Sequence, residues 1–179
     1  MRELTPQERA IRRRQARERA QTSIDYDKIV ASRQPLLNQL DQQGIPYQIE
    51  VWQTQTHAHP TDPSQLWLEQ HFVFHAGGRI DWNFAREVYE RHETTFNFDH
   101  GQFIKQVSER AGLANPQVTV LWANFLSPNL KINLQDLIPV ASKVVTQDFW
   151  DCWIFDEQDS WCIEYHHDGH LRFGYSGSR

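Results

Sequence analysis

Cysteine is scarce in this chain of 179 residues, which contains only Cys152 and Cys162. Two cysteines are too few for a disulfide-rich scaffold, and they cannot form a metal site by themselves. If the two residues lie on neighbouring strands, a bond between them is geometrically conceivable. The simpler expectation is a pair of reduced, half-buried thiols in a cytoplasmic protein.

Long hydrophobic runs are also missing. No apolar run approaches the roughly 18 residues that a transmembrane helix needs. The first 20 residues contain seven arginines and no apolar segment, so no secretory signal peptide is predicted. These absences predict a protein that is cytoplasmic and does not enter the membrane.

Enzyme motifs are incomplete or absent. His92-Glu93 begins the zinc-protease pattern His-Glu-x-x-His, but Phe96 stands where the second histidine is required. The sequence has no nucleophile elbow, no P-loop and no dinucleotide fingerprint, and Gly77-Gly78 is better explained by a turn. A binding protein is therefore favoured over an enzyme, although a hydrolase stays open.

Apolar residues make up 39% of the chain and aromatic residues 12%, including 7 Trp and 10 Phe. This content is sufficient to bury a core and excludes a wholly disordered chain. The length predicts one domain with an appendage. We assign residues 1–22 to a projecting basic helical arm and residues 23–179 to a single α+β domain.

Local patterns predict both helices and strands, with a mainly antiparallel sheet. Asp99, three residues before Gln102, and Gly112 predict the two ends of a helix. Pro35 is expected to break a helix over 24–40, or to start a second short helix. Further helices are predicted over 85–92 and 134–140. Strands are predicted over 47–53, 66–74, 80–84 and 118–122, with Phe74 paired to Ile80.

The C-terminal segment predicts a three-strand meander over 149–155, 161–166 and 171–175. Its apolar residues are odd-numbered, so they are expected to share one face. A three-residue loop ending at Gly169 pairs Tyr165 with Leu171. The same register places Glu164 opposite Arg172, and His166 opposite His170.

Charge is distributed unevenly. Residues 1–20 hold seven arginines against three glutamates, whereas the rest of the chain has 11 basic and 20 acidic residues and a net charge of −9. Residues 145–170 include seven acids and no Lys or Arg. Such asymmetry points to charged partners.

Three candidate sites follow from these patterns. The basic arm could lie along the phosphates of a nucleic acid, or contact the acidic half of another copy in a homo-oligomer. Its residues are Arg9, Arg12, Arg13, Arg14, Arg17 and Arg19.

The second candidate is a zinc site of a metal-dependent hydrolase, because two imidazoles and a carboxylate could hold the ion. Its residues are Glu164, His166 and His170.

The third candidate is an acidic aromatic surface for a basic protein partner. It consists of Asp148, Trp150, Asp151, Asp156, Glu157 and Asp159.

The stretch Phe149-Trp-Asp-Cys-Trp-Ile-Phe-Asp-Glu-Gln-Asp-Ser-Trp-Cys-Ile-Glu-Tyr-His-His-Asp-Gly-His170 resembles the aromatic, acidic hairpins of certain bacterial immunity proteins. These proteins guard against contact-dependent growth inhibition and related polymorphic toxins. The resemblance implies a cytoplasmic inhibitor of the toxic C-terminal domain of one effector, often a basic nuclease. The family has no shared residue signature, so no site residue is carried over from it. The expected mechanism is occlusion, with carboxylates of the 148–159 region replacing substrate phosphates and Trp150 seated in a pocket.

Overall fold

A computed structural model describes the chain over six ranges, namely residues 26–50, 62–75, 78–92, 99–123, 129–146 and 151–177. The predicted arm lies outside these ranges, as do Asp148 and Trp150.

A seven-stranded antiparallel sheet runs through the molecule in the order β1-β4-β3-β5-β6-β7-β2. Its strands are β1 Tyr47–Glu50, β2 Arg86–His92, β3 Gln117–Trp122, β4 Asn129–Asn133, β5 Cys152–Asp156, β6 Trp161–Tyr165 and β7 His170–Tyr175. The helices are α1 Tyr26–Gln42, α2 Pro63–His71, α3 His100–Ala111, α4 Leu134–Leu137 and α5 Ala141–Val145. The predicted α+β class is confirmed, including the C-terminal meander β5-β6-β7.

The central strands of the sheet are covered on both faces. One face packs against α1, α3, α4 and α5 in a core that includes Leu40, Phe103 and Ile154. The other face packs against α2 and the segment 72–85, in a second core that includes Trp82 and Phe155. Every residue of β5 is buried, as expected for a strand covered on both sides.

The ends of α3 agree with prediction. The Asp99 carboxylate accepts the backbone N–H of Gln102 at 3.0 Å, which supplies an acceptor to one of the unpaired donors of the first turn. Gly112 ends the helix at φ 65°, in the left-handed region that glycine adopts at little cost. The predicted strand over 118–122 and helix over 134–140 are likewise present, the latter as α4 followed by a 3₁₀ turn at Ile138–Val140.

Other local predictions are wrong. Pro35 lies inside α1 rather than breaking it, because the packing of Leu36, Leu37 and Leu40 in the core outweighs one missing backbone hydrogen bond. The segment predicted as a strand over 66–74 begins as α2. Asp62 caps that helix by accepting the N–H of Ser64 at 2.9 Å, so the Asp62-Pro63 start signal was overlooked.

The secondary structure predicted for most of the segment 80–92 is wrong: a predicted strand is a turn, and a predicted helix is a strand. Phe74 pairs with Ile80 as predicted, but Trp82–Phe84 forms a 3₁₀ turn instead of a strand. The residues predicted as a helix over 85–92 form β2, paired with β7 at the sheet edge. An exposed edge strand has a weak alternating pattern, which hid β2 from sequence reasoning. Strand β4 was not predicted.

Within the meander, the predicted register is present between β6 and β7 but not between β5 and β6. Tyr165 pairs with Leu171 and Glu164 with Arg172, and Gly169 has φ 93°. However, Asp156 pairs with Trp161 across a four-residue turn, so odd positions of β5 face even positions of β6. The prediction of a single odd-numbered apolar face is therefore wrong for β5.

This register also separates the two cysteines. Cys152 faces the core beneath α1 and α3, whereas Cys162 faces the core beneath α2. Neither cysteine forms a disulfide, and both are fully buried rather than half-buried. Although they lie on neighbouring strands, their opposite directions prevent a disulfide.

Candidate functional site: an acidic aromatic surface

The four predicted acidic residues that the structure describes are not exposed at one place. Glu157 and Asp159 are exposed in the β5-β6 turn. Asp156 is only 4% exposed, and its carboxylate accepts the backbone N–H of Gln158 at 2.9 Å. Asp156 therefore shapes the turn and leaves Glu157 and Asp159 to face solvent.

Asp151 lies at the other end of β5, about 16 Å along the strand from Asp156. Its carboxylate is half-buried and accepts the backbone N–H of His167 at 3.0 Å. Consequently Asp151 is separated from the exposed pair, Glu157 and Asp159. Asp148 and Trp150 fall outside the described residues, so their places in the surface stay predictions.

The β5-β6 turn lies beside the end of β7 and the start of β2. Ser176 donates its backbone N–H to the Ser160 carbonyl at 2.8 Å. The Arg86 Nε donates to the Ser176 carbonyl at 3.0 Å. The Phe84 carbonyl is so close to Gly177 that a Cβ atom at that glycine would clash with it. These contacts bring Phe84 to the same end of the sheet as Glu157 and Asp159.

Phe84 is the most exposed large hydrophobic residue that the structure describes, at 60% exposure. Val88, also exposed, follows it on β2. Sequence reasoning missed both, because Phe84 was assigned to an inward strand face and residues 85–92 to a helix. The signal that could have found them is the isolated turn residue Asp81, whose carboxylate accepts the N–H of Asn83 at 3.2 Å and caps the 3₁₀ turn.

A β-bulge directs Glu87 to this surface. The β2-β7 register shifts between Arg86 and Tyr89, and Glu87 has φ 53°. An extra residue in an edge strand bends it and changes the direction of its side chains. Such a positive φ is unfavourable for a residue other than glycine, so the surrounding contacts must hold it.

The carboxylates of Glu87 and Asp159 influence the pKa of Tyr175. Burial raises the pKa of the Tyr175 hydroxyl, and the negative charges of Glu87 and Asp159 raise it further. Both acids are thus close enough to act on one phenol. We define the Phe84 surface as the exposed residues Phe84, Glu87, Val88, Glu157 and Asp159. The three carboxylates of this surface outnumber the two nearby arginines, Arg86 and Arg110, so the net charge there is negative.

A pocket of about 210 Å³ adjoins the Phe84 surface. Its lining includes Glu87, Val88, Tyr89 and Arg110. The Arg110 guanidinium lies 5.0 Å from the centre of the Tyr89 ring, a distance typical of a cation–π contact. The pocket offers a cavity of side-chain size beside Glu87 and Val88 of the Phe84 surface.

The three predicted zinc ligands have separate partners. Glu164 is buried, and its carboxylate accepts hydrogen bonds from the Ile80 N–H at 2.9 Å, the Trp82 indole at 2.6 Å and the Trp153 indole at 3.0 Å. His170 contacts Glu90 through Nδ1 at 2.9 Å. The structure therefore does not bring Glu164, His166 and His170 together around one point.

Glu90 also contacts Arg172, at 2.7 Å. This hydrogen bond is the main cause that lowers the pKa of the Glu90 carboxyl, with smaller contributions from His170. His170 is thus part of an ion-pair network between β2 and β7. The arm arginines predicted for nucleic-acid binding lie outside the described residues.

None of the helices in the described part of the chain is long and apolar enough to cross a membrane. At one end of the sheet the structure presents an exposed aromatic residue, Phe84, and the exposed acids Glu157 and Asp159. Protein interfaces often combine such an aromatic anchor with charged neighbours.

Comparison with known proteins identifies the family. Residues 59–174 match the family described as CdiI immunity protein, EcoliA0-like, and this match includes all of the Phe84 surface. The chain belongs to that family of immunity proteins. It is therefore an immunity-type protein whose partner is a toxin, in agreement with the resemblance found in the meander. No curated protein matches the sequence.

Proposed function

We propose that this protein neutralises a cationic toxin, such as a nuclease, by covering its active or substrate site with the Phe84 surface. The observation that carries the proposal is the position of Phe84, which is 60% exposed and lies at the same end of the sheet as Glu157 and Asp159. Family membership supplies the toxin as partner, and the surface chemistry supplies its expected charge.

The Phe84 surface combines two contributions to binding. Aromatic residues that enter a pocket of the partner typically dominate the binding energy of an interface. Carboxylates around them accelerate association with a basic partner and fix its orientation. Three acidic side chains, Glu87, Glu157 and Asp159, perform this role around Phe84.

Occlusion explains why a negative surface suits a nuclease. Such an enzyme binds phosphates through Lys and Arg, and Glu157 and Asp159 can take the place of those phosphates. The body of the chain outside the first 20 residues carries a net charge of −9, so its field attracts a basic partner over distances comparable with the Debye length. No catalytic step by this chain is required.

The first test measures association of the chain with its cognate toxin domain, captured from nuclease-treated lysate and then purified. The double variant Glu157→Gln with Asp159→Asn should slow association about tenfold at low ionic strength and flatten its salt dependence. The charge-matched control, Asp41→Asn with Glu69→Gln, removes two exposed carboxylates on α1 and α2 and should change the association rate much less.

A second pair of variants tests the aromatic contact. Phe84→Ala should raise the dissociation rate by about tenfold or more, equivalent to at least about 1.4 kcal/mol of binding free energy. Leu66→Ala on α2, where the side chain is also exposed (43%), should leave it unchanged. Equal effects of Phe84→Ala and Leu66→Ala would refute the proposed surface.

The alternative function is nucleic-acid binding by the basic arm. A chain lacking residues 1–20 separates the two functions, because it should lose nucleic-acid binding and keep toxin inhibition. If toxin inhibition were lost with the arm, the arm would belong to the inhibitory surface and the proposal would need a different interface.

A further inference from the structure

Two histidines and one aspartate meet at the end of the meander opposite the Phe84 surface. Asp151 precedes β5 and His166 follows β6, so the two residues continue the register in which Cys152 pairs with Tyr165. His167 is the next residue, in the turn to β7. The ring nitrogens of both histidines and a carboxylate oxygen of Asp151 all lie within 4.8 Å of one another.

The individual distances suit a shared metal ion. The Asp151 Oδ1 lies 3.6 Å from the His166 Nε2 and 2.8 Å from the His167 Nδ1. Two ligand atoms of a tetrahedral zinc ion are about 3.3 Å apart, given metal–ligand bonds of about 2.0–2.1 Å. Both distances are within about 0.5 Å of that value, so small side-chain rotations are sufficient.

A second carboxylate orients His166 for this role. The His166 Nδ1 contacts the Asp168 Oδ1 at 2.5 Å. We assign the Nδ1 proton to this contact, because a carboxylate oxygen accepts a hydrogen bond, and the Nε2 then faces Asp151. Histidines that bind metals usually donate their other N–H to a carboxylate in this way. The His166 side chain is only 8% exposed, so the ring is held in place.

The remaining geometry calls for a positive charge. With its proton on Nδ1, the His166 Nε2 presents a lone pair toward a carboxylate oxygen of Asp151, and two acceptors do not attract each other. Either a second proton on His166 or a cation between the two groups resolves this conflict. The His167 Nδ1, which is hydrogen-bonded to the Asp151 Oδ1 at 2.8 Å, supplies a third ligand when the cation replaces the proton between them.

We propose that Asp151, His166 and His167 bind a divalent transition metal of the zinc class, with Asp168 positioning His166. Two imidazoles and one carboxylate favour Zn²⁺, Co²⁺ or Ni²⁺ over Mg²⁺ and Ca²⁺, which prefer oxygen ligands. Three protein ligands leave a coordination position for water or for a side chain of a partner. The site ties the start of β5 to the β6-β7 turn, and it is distinct from the Glu164, His166 and His170 set.

The test uses the untagged full chain, stripped with a chelator and titrated with Zn²⁺ by calorimetry, or with Co²⁺ by visible absorption. Wild type should bind one ion per chain and melt at a higher temperature when the ion is present. His167→Gln, a change at a side chain that is 57% exposed, should abolish saturable binding and this thermal shift. Asp168→Asn should weaken affinity about 10-fold to 100-fold.

His170→Gln is the matched control, because His170 lies near the site but contacts Glu90 instead. It should bind Zn²⁺ as wild type does. Circular dichroism of each variant shows that the fold is retained. Absence of saturable binding in wild type, binding that is unchanged in His167→Gln, or an equal loss in His170→Gln would each overturn the proposed site.

Discussion

Glu164 offers a direct test of how the segment carrying Phe84 is attached to the sheet. Its Oε1 accepts the Ile80 N–H and the Trp153 indole N–H, and its Oε2 accepts the Trp82 indole N–H. The carboxylate is 2% exposed. Replacing it by alanine would leave three buried donors without this acceptor, at a cost of about 3–5 kcal/mol in the free energy of unfolding.

Glu164→Gln isolates one of the three hydrogen bonds. The amide oxygen can keep the two bonds made by Oε1, whereas the amide NH₂ then faces the Trp82 indole N–H, which is 2.6 Å from Oε2 in the wild type. Two donors at this distance repel each other, so we expect a loss of about 1–3 kcal/mol. Trp82→Phe removes the same hydrogen bond from the other side and also leaves a cavity.

The double variant Glu164→Gln with Trp82→Phe removes both the clash and the unpaired carboxylate oxygen. Its loss of stability should be smaller than the sum of the single losses by at least about 1 kcal/mol, and the cavity contribution cancels in the cycle. Urea unfolding followed by far-ultraviolet circular dichroism measures the free energy of unfolding of the wild type, the two single variants and the double variant. Additive losses, to within about 0.5 kcal/mol, would refute the role assigned to the Trp82 hydrogen bond.

Two further predictions concern the helical layer. Gly101→Ala in α3 should destabilise the protein by about 1–3 kcal/mol, because a Cβ atom would clash with the Ile138 carbonyl, although helix propensity alone favours alanine by about 1 kcal/mol. The exposed control Gln102→Ala should change stability by less than about 0.5 kcal/mol in urea unfolding, and a stabilising Gly101→Ala would show that the clash is absent. Burial lowers the pKa of His100 to about 4, below its usual value of about 6.5, so the neutral form is favoured in the folded state. Stability should therefore fall as the pH drops from about 6.5 toward 4, by up to about 1.4 kcal/mol per pH unit from this residue; His100→Gln should flatten that part of the profile, and an unchanged profile would contradict the assignment.

Several elements were predictable because their determinants are local. The Asp99 cap and the terminal Gly112 define α3 through hydrogen bonds and backbone angles within the same turn. The register between β6 and β7 follows from a short loop with Gly169 at positive φ. The resemblance to immunity proteins came from the meander as well, and the family match includes the resembling stretch over 149–170.

Other elements depended on packing that no local pattern encodes. Residues 85–92 form a strand because β7 offers an edge with which they can pair, and the exposed side of such a strand carries little hydrophobic signal. The four-residue turn between β5 and β6 gives β5 the opposite facing from the predicted one, so Trp153 and Phe155 lie in the second core. One residue of turn length exchanges the two faces of a strand.

The sequence by itself determined the α+β class, the meander and the concentration of negative charge in the C-terminal third, since composition and short-range patterns are sufficient for these. Tertiary structure decided which acids face solvent, because turn geometry buries Asp156 and exposes Glu157 and Asp159. It also placed Phe84 beside them and gathered Asp151, His166 and His167 at the opposite end of the meander. These sites join residues that are distant along the chain, and only the pairing of the strands brings such residues into contact.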